Sequence, residues 1–316
     1  MRFPACNTPG YRIRTRKAHK QVYRRKRFMA NTMDSDQQKK YLQRLSASYR
    51  LTQGIISEAI EALNLTDGSR GLDAGCGSGH HTIQLAHAVG PGGRVIGLDS
   101  APWMVEAARR LIRENKPKVL VEVVEGDLLD LPFDDGVFDW VFCKDTLWSG
   151  PIETGSIGEN TLPSVKELAR VVKPGGTIAL LFWSSQMILP GYPGLEARFM
   201  EAFTRQVPYL AGTDPERHFL RAMGWLREAG LQEVKVRCFT DCFQAPLNPA
   251  TLDAIQSCME MLYIDTGLEP LVSAADWTLF RRLSDPESSD CLFTRRDYHC
   301  SITYSMFQGQ VDFNRL

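Results

Sequence analysis

Apolar residues follow two rhythms along this chain, and the rhythms alternate. Leu42, Leu45, Tyr49, Ile56, Ile60 and Leu63 recur at three- to four-residue steps, which predicts an amphipathic helix over 36–63, ended by Asn64, Thr66 and Gly68. A short apolar strand follows at Leu72 and Ala74, then helical spacing at Ile83, Ala86 and Val89, then a second strand over 94–98. Strand, turn, helix and strand in that order predict a parallel sheet. The alternation continues with a helix from 102 to about 115, strands at 119–124 and 138–142, a helix at 163–172 and a fifth strand at 177–183. Asp214-Pro215 opens a helix ending near Gly230, 231–239 reads as a sixth strand and 298–311 as the last. Two segments stand outside this pattern: 186–213, rich in Pro and Gly, and 246–297, mostly helical in spacing.

The turn after the first strand carries the first chemical signal. Residues 71–79 read Gly-Leu-Asp-Ala-Gly-Cys-Gly-Ser-Gly. Glycines let the backbone turn sharply and approach a ligand without Cβ atoms in the way. The first amides of the following helix favour a negative group in the turn. A dinucleotide fingerprint has a third glycine three positions after the second. Here Gly75, Gly77 and Gly79 alternate, His80 stands where that glycine would be, and Asp73 precedes the set.

Composition narrows the class without naming it. The 316 residues are 43% hydrophobic and 23% charged, ordinary for a soluble globular protein. The longest strongly apolar run near the sheet, 177–183, is far too short to span a bilayer, and no stretch has the order of a secretory signal. Net charge is zero, yet residues 1–28 hold ten Lys or Arg and no acid, so the rest is acidic. That balance predicts a body that does not bind nucleic acid. The basic segment, 1–33, reads as an unstructured extension, with Met29 or Met33 as candidate starts, and with an organelle transit segment or a nucleic-acid or membrane-surface arm as the alternatives. Eight dispersed cysteines without a C-x-x-C pair predict reduced thiols in a cytosolic protein, with neither a disulfide framework nor a metal site. Cys238 alternates with Val234 and Val236 and reads as an inward small hydrophobe.

Later landmarks extend the signal. Asp99 ends the second strand 20 residues beyond Gly79, Gly126-Asp127 follows the third, and Lys173-Pro174-Gly175-Gly176 turns into the fifth. In this order and spacing the chain resembles the class I S-adenosylmethionine-dependent methyltransferases over about 70–183. Within that group it is similar to the small-molecule branch typified by ubiquinone/menaquinone-biosynthesis enzymes. The resemblance implies an α/β, Rossmann-like, seven-stranded, mostly parallel sheet with an antiparallel last strand and helices on both faces. The core would be 34–185 with its N-terminal helix, continued at 214–245 and 298–316. The insertions 186–213 and 246–297 would form a helical cap over the acceptor.

The resemblance also assigns roles. Gly75, Gly77 and Gly79 would cradle S-adenosylmethionine, with Asp73 at its amino group. Asp99 would take the ribose hydroxyls, its carboxylate having two acceptor oxygens. Ser100, Trp103 and Met104 follow in the next turn, where Ser100 could cap the helix and Trp103 and Met104 flank the adenine. Asp127 and the Leu128 amide would read the adenine edge, and Lys144 completes the cofactor set. Tyr41 and Tyr49 would either close the site or pack the first helix.

Methyl transfer asks mainly for alignment, so a base is optional. Asp145 is the candidate catalytic residue, with a salt bridge to Lys144 as the plainer account. Trp148, Tyr192 and His299 are candidates for the pocket of a small-molecule acceptor. His80 and His81 read as helix-surface residues. The sequence Cys143-Lys144-Asp145-Thr146 lacks the Asn/Asp-Pro-Pro-Tyr of enzymes acting on nucleic-acid bases or glutamine. Two other classes compete: a catalytically silent protein of this fold, opposed by the intact acidic and glycine set, and a nicotinamide oxidoreductase, opposed by His80 and Gly126-Asp127.

Overall fold

The computed structural model describes residues 33–150, 157–207, 210–211 and 214–314. The expectation for the basic segment falls almost wholly outside them. The chain forms α1 (Ser35–Glu61), β1 (Arg70–Ala74), α2 (His80–Ala88), β2 (Arg94–Asp99), α3 (Pro102–Asn115), β3 (Leu120–Glu125) and β4 (Phe138–Lys144). Then come α4 (Leu162–Val171), β5 (Val172–Met187), α5 (Pro193–Gln206), α6 (Ala222–Glu228), β6 (Gln232–Gln244), α7 (Pro249–Met259), α8 (Ala274–Ser284) and β7 (His299–Gln310). The seven strands make one sheet in the order β3-β2-β1-β4-β5-β7-β6, parallel from β3 to β5, with β7 antiparallel to both neighbours. The order reverses between β1 and β4, and in an open sheet of this kind ligands bind beyond the strand ends at that point.

Parallel strands covered on both faces read as continuous apolar runs. In β4, Trp140 and Phe142 face one core and Val141 and Cys143 the other. The first core gathers α1, α2, α5, α7 and α8; the second is covered by α4 and α6. α1 starts on a capping box, in which Asp34 accepts from the Asp36 and Gln37 amides and the Gln37 side chain accepts from the Asp34 amide. Among the described residues, no helix is long and apolar enough to cross a membrane.

Four local expectations are corrected. β5 begins at Val172, and Lys173–Gly176 forms a bulge opposite Asp139 rather than a turn before the strand, since Val172 pairs with Phe138 and Thr177 with Trp140. Pro174 has no amide for the ladder and Gly175 adopts φ +78°. The helix from Asp214 is broken into single turns at Pro215–Arg217 and Phe219–Arg221 before α6. Ser100 does not cap α3: the cap position is Ala101, and no side chain caps it there. Cys238 is exposed, whereas Phe239 is buried. Glu233, at φ +50°, introduces an extra residue between the Gln232 and Lys235 pairings. A one-residue slip moves every later side chain to the opposite face.

Candidate active site

The candidate site lies at the carboxyl ends of β1, β2, β3 and β4. The Gly75 and Cys76 amides both donate to the Leu98 carbonyl, at 2.8 and 2.9 Å, which folds the glycine turn onto the end of β2. The three glycines serve different ends. All have positive φ, at +83°, +52° and +89°. A Cβ on Gly75 would collide with Thr146, and one on Gly79 would lie 3.0 Å from Ala108 of α3, so these two permit close packing. A Cβ on Gly77 would meet nothing within 4 Å, so the turn is open there.

Asp99 faces that opening. Its Oδ2 accepts from the Gly77 amide at 3.0 Å and its Oδ1 from the Ala101 amide at 2.9 Å. A carboxylate offers about four lone-pair sites, so each oxygen retains capacity for a ligand hydroxyl. Burial raises the Asp99 pKa, and the Ala101, Gly77 and Ser100 amides oppose the shift. Gly126 donates to the Asp99 carbonyl at 3.0 Å, joining the end of β3 to the same corner. Asp127 is buried beyond it and accepts from the Leu129 amide, and Leu128 is buried beside it.

Asp73 is 1% exposed. Thr82, on the first turn of α2, donates its hydroxyl to Asp73 Oδ2 at 2.6 Å. Burial pushes this carboxyl up to about 7, against the Thr82 hydrogen bond, while Asp99 adds to the rise and Lys144 opposes it. Met104 is buried on the first turn of α3. Trp103 meets Tyr41 edge-on at 5.9 Å. Tyr41 is 40% exposed as a residue, while desolvation, with Asp99 and Asp145 adding to it, raises the pKa of its hydroxyl. Tyr41 thus bridges α1 and α3 over the site, whereas Tyr49 stacks on His80 at 4.4 Å and packs α1 on α2.

β4 ends on a second cluster. Asp145 has φ +46°, uncommon for a residue with a side chain. Its Oδ1 accepts from the Trp183 amide at 3.0 Å, and its Oδ2 from Lys144 Nζ at 2.6 Å and from the Tyr304 hydroxyl at 2.9 Å. Lys144 also lies 4.9 Å above the Tyr304 ring. Asp145 therefore joins β4, β5 and β7 with three donors on its carboxylate. Thr82, Tyr304 and Trp183 complete these clusters; Tyr304 and Trp183 are too far from Asp145 in the sequence to have given a signal, and Thr82 carries no motif of its own.

The three acceptor candidates are not brought together. Trp148 packs against Phe219 at 4.5 Å and Phe182 at 5.6 Å beside the second core, and its Nε1 donates to the Asp145 carbonyl at 2.6 Å. Tyr192 is the cap residue of α5 and packs against the first core. His299 is exposed at the start of β7, with Nδ1 3.4 Å from the Asp297 carbonyl.

A switch-point glycine turn with a carboxylate at the end of the next strand defines a nucleoside-binding α/β protein. Known proteins narrow this. A family model described as a methyltransferase domain matches residues 65–210. Demethylmenaquinone methyltransferase of Staphylococcus carnosus is 30% identical over 239 residues, covering 66% of this chain and 91% of that protein. The protein of the same name from Staphylococcus saprophyticus is 29% identical over 233 residues, covering 66% and 94%. In fold, the chain is similar to the crystal structure of YcgJ from Bacillus subtilis, with a TM-score of 0.51 at 18% identity over 82% of this chain and 99% of that one. The chain belongs to the class I S-adenosylmethionine-dependent methyltransferases, in their quinone-biosynthesis-like branch. It is an enzyme that takes its methyl group from S-adenosylmethionine, and neither a silent role nor a nicotinamide reaction is favoured. The residues fit that cofactor: the turn is open at Gly77, Asp99 retains lone pairs beside it, and acidic side chains suit a cationic ligand.

Proposed function

We propose that this enzyme methylates a small aromatic acceptor of quinol type, and that the turn at Gly75–Gly79 holds the cofactor. Asp99 takes the ribose hydroxyls, Asp73 the amino group, and Met104, Trp103, Asp127 and Leu128 surround the adenine. Bound S-adenosylmethionine supplies a methyl group on a sulfonium, which departs as a neutral thioether. The chain's part is to hold an acceptor in line with that methyl carbon and to exclude water. Asp145 keeps Lys144, Trp183 and Tyr304 in fixed relation at the far wall. With three donors already on its carboxylate, it positions this wall rather than taking a proton.

The observation that carries the cofactor assignment is the open Gly77 turn faced by the Asp99 carboxylate. The acceptor class is supported by the relatives' names. Labelled-methyl transfer to a short-chain demethylmenaquinol, a catechol and an aliphatic amine tests it. The expected product is the methylated quinol; label reaching only the amine would contradict the reading.

A further inference from the structure

His80 and His81 begin α2 directly after the last glycine of the turn, and the structure separates them. His80 faces α1: its ring lies flat on Tyr49 at 4.4 Å and 10°, and its Nε2 is 3.5 Å from Ser46 Oγ. His81 meets Tyr49 edge-on at 5.8 Å. Its Nε2 is buried and has no hydrogen-bond partner among the described residues. Burial lowers the imidazole's pKa, and Lys144 at the end of β4 lies close enough to lower it further, ahead of His80. Both effects favour the neutral ring, which packs against Tyr49 of α1.

A buried polar atom without a partner is unfavourable and calls for an explanation. A neutral imidazole protonated on Nε2 offers one donor. His81 itself stands on the first turn of α2, whose free amides favour a negative group, and the Lys144 ammonium, paired with Asp145 at 2.6 Å, acts on it. The nearby carboxylates already have donors: Asp145 holds Lys144, Asp73 accepts from Thr82, and Asp99 accepts from the Gly77 and Ala101 amides. The methionyl arm of the cofactor carries one cationic and one anionic end, and only the anionic end suits this donor-rich corner.

We propose that His81 Nε2 donates to the methionyl carboxylate of the cofactor, together with the first-turn amides of α2 and the charge of Lys144. The inference rests on the cofactor site proposed above. It adds a contact that the spacing of the glycine motif does not specify.

The test uses two nucleosides and two variants. S-adenosylhomocysteine carries the amino-acid arm, and 5′-methylthioadenosine lacks it. Calorimetric titration of the full chain, His81→Leu and His81→Asn with both compounds is read with the melting temperature of each apoprotein. His81→Leu is expected to bind S-adenosylhomocysteine about tenfold more weakly, the scale of one lost hydrogen bond to a charged group. Its affinity for methylthioadenosine should stay within about twofold of the full chain, because the remaining contacts are unchanged. Its melting temperature should hold or rise, because removing an unpaired buried polar atom does not destabilise a fold. His81→Asn, which keeps an N–H donor, should recover part of the loss. Equal losses for both nucleosides, or no loss for either, would overturn the assignment. A full chain that binds neither nucleoside would remove the cofactor site itself, and the role of His81 with it.

Discussion

Two carboxylates at the mouth of the turn differ in what they can do. Asp99 is anchored by two backbone amides and directs its remaining lone pairs outward. Asp99→Ala should weaken S-adenosylhomocysteine binding by about 1–3 kcal/mol, the worth of hydrogen bonds to a charged group, measured by calorimetry. An unchanged dissociation constant would make Asp99 only a brace for the turn. Asp73 is fully enclosed, and its carboxyl titrates at about 7 against an ordinary 3.8. Because the folded value is raised, its contribution to stability is complete below the unfolded value and is lost as pH rises through about 7. An ammonium placed against Asp73 would favour the ionised form. Cofactor binding at pH 6.5 should therefore release a proton, and affinity should rise with pH until it levels above about 7. Titrations in buffers of different ionisation enthalpy measure that proton, and Asp73→Asn should abolish it; equal heats in every buffer would contradict the pairing.

At the scale of elements, the glycine turn and the β4 end separate stability from binding. Gly79→Ala forces a positive φ on a residue with a side chain and presses it against Ala108, so the apoprotein should lose about 2 kcal/mol or more. Gly77→Ala meets open space and should cost only about 1 kcal/mol by chemical denaturation, yet place a methyl group where the ligand lies. Strong binding by Gly77→Ala would show that the opening is not the cofactor cradle. Tyr304→Phe removes one of three donors to Asp145 and should slow turnover while leaving cofactor affinity within about twofold, since no cofactor contact changes. The turn was legible in the sequence because glycine spacing and apolar runs are local signals. Lys144 was legible as the neighbour paired with Asp145, whereas Tyr304 and Trp183 were not, because they reach Asp145 only through the sheet order. The face of Cys238 was misread for a related reason: the shift at Glu233 is a property of the pairing, and residue alternation alone does not contain it.

For the whole molecule, the sheet, α1 and the helices of the two insertions share one hydrophobic core. Leu51 and Ile55 of α1, Phe199 of α5, Ile255 of α7, Phe280 of α8 and Tyr304 of β7 belong to the same cluster. Each fully buried side chain of this size contributes roughly 1.5–3 kcal/mol. The insertion helices should therefore melt with the sheet in one transition. A ligand held by the native state alone at 100 times its dissociation constant adds about 2.7 kcal/mol. S-adenosylhomocysteine should raise that single transition and NAD should not; separate melting of the insertion helices would contradict a shared core. The seven strands and their order of appearance were readable from apolar periodicity. The packing of the second insertion onto α1 was not, because it depends on surfaces far apart in the chain. The most direct measurement combines these scales: the enzyme, S-adenosylmethionine labelled on the methyl group, and a reduced demethylmenaquinol, with both products quantified by mass spectrometry. One S-adenosylhomocysteine should form for each labelled quinol, with both falling together in Asp99→Ala. Cofactor turnover with no label in the quinol would contradict the account.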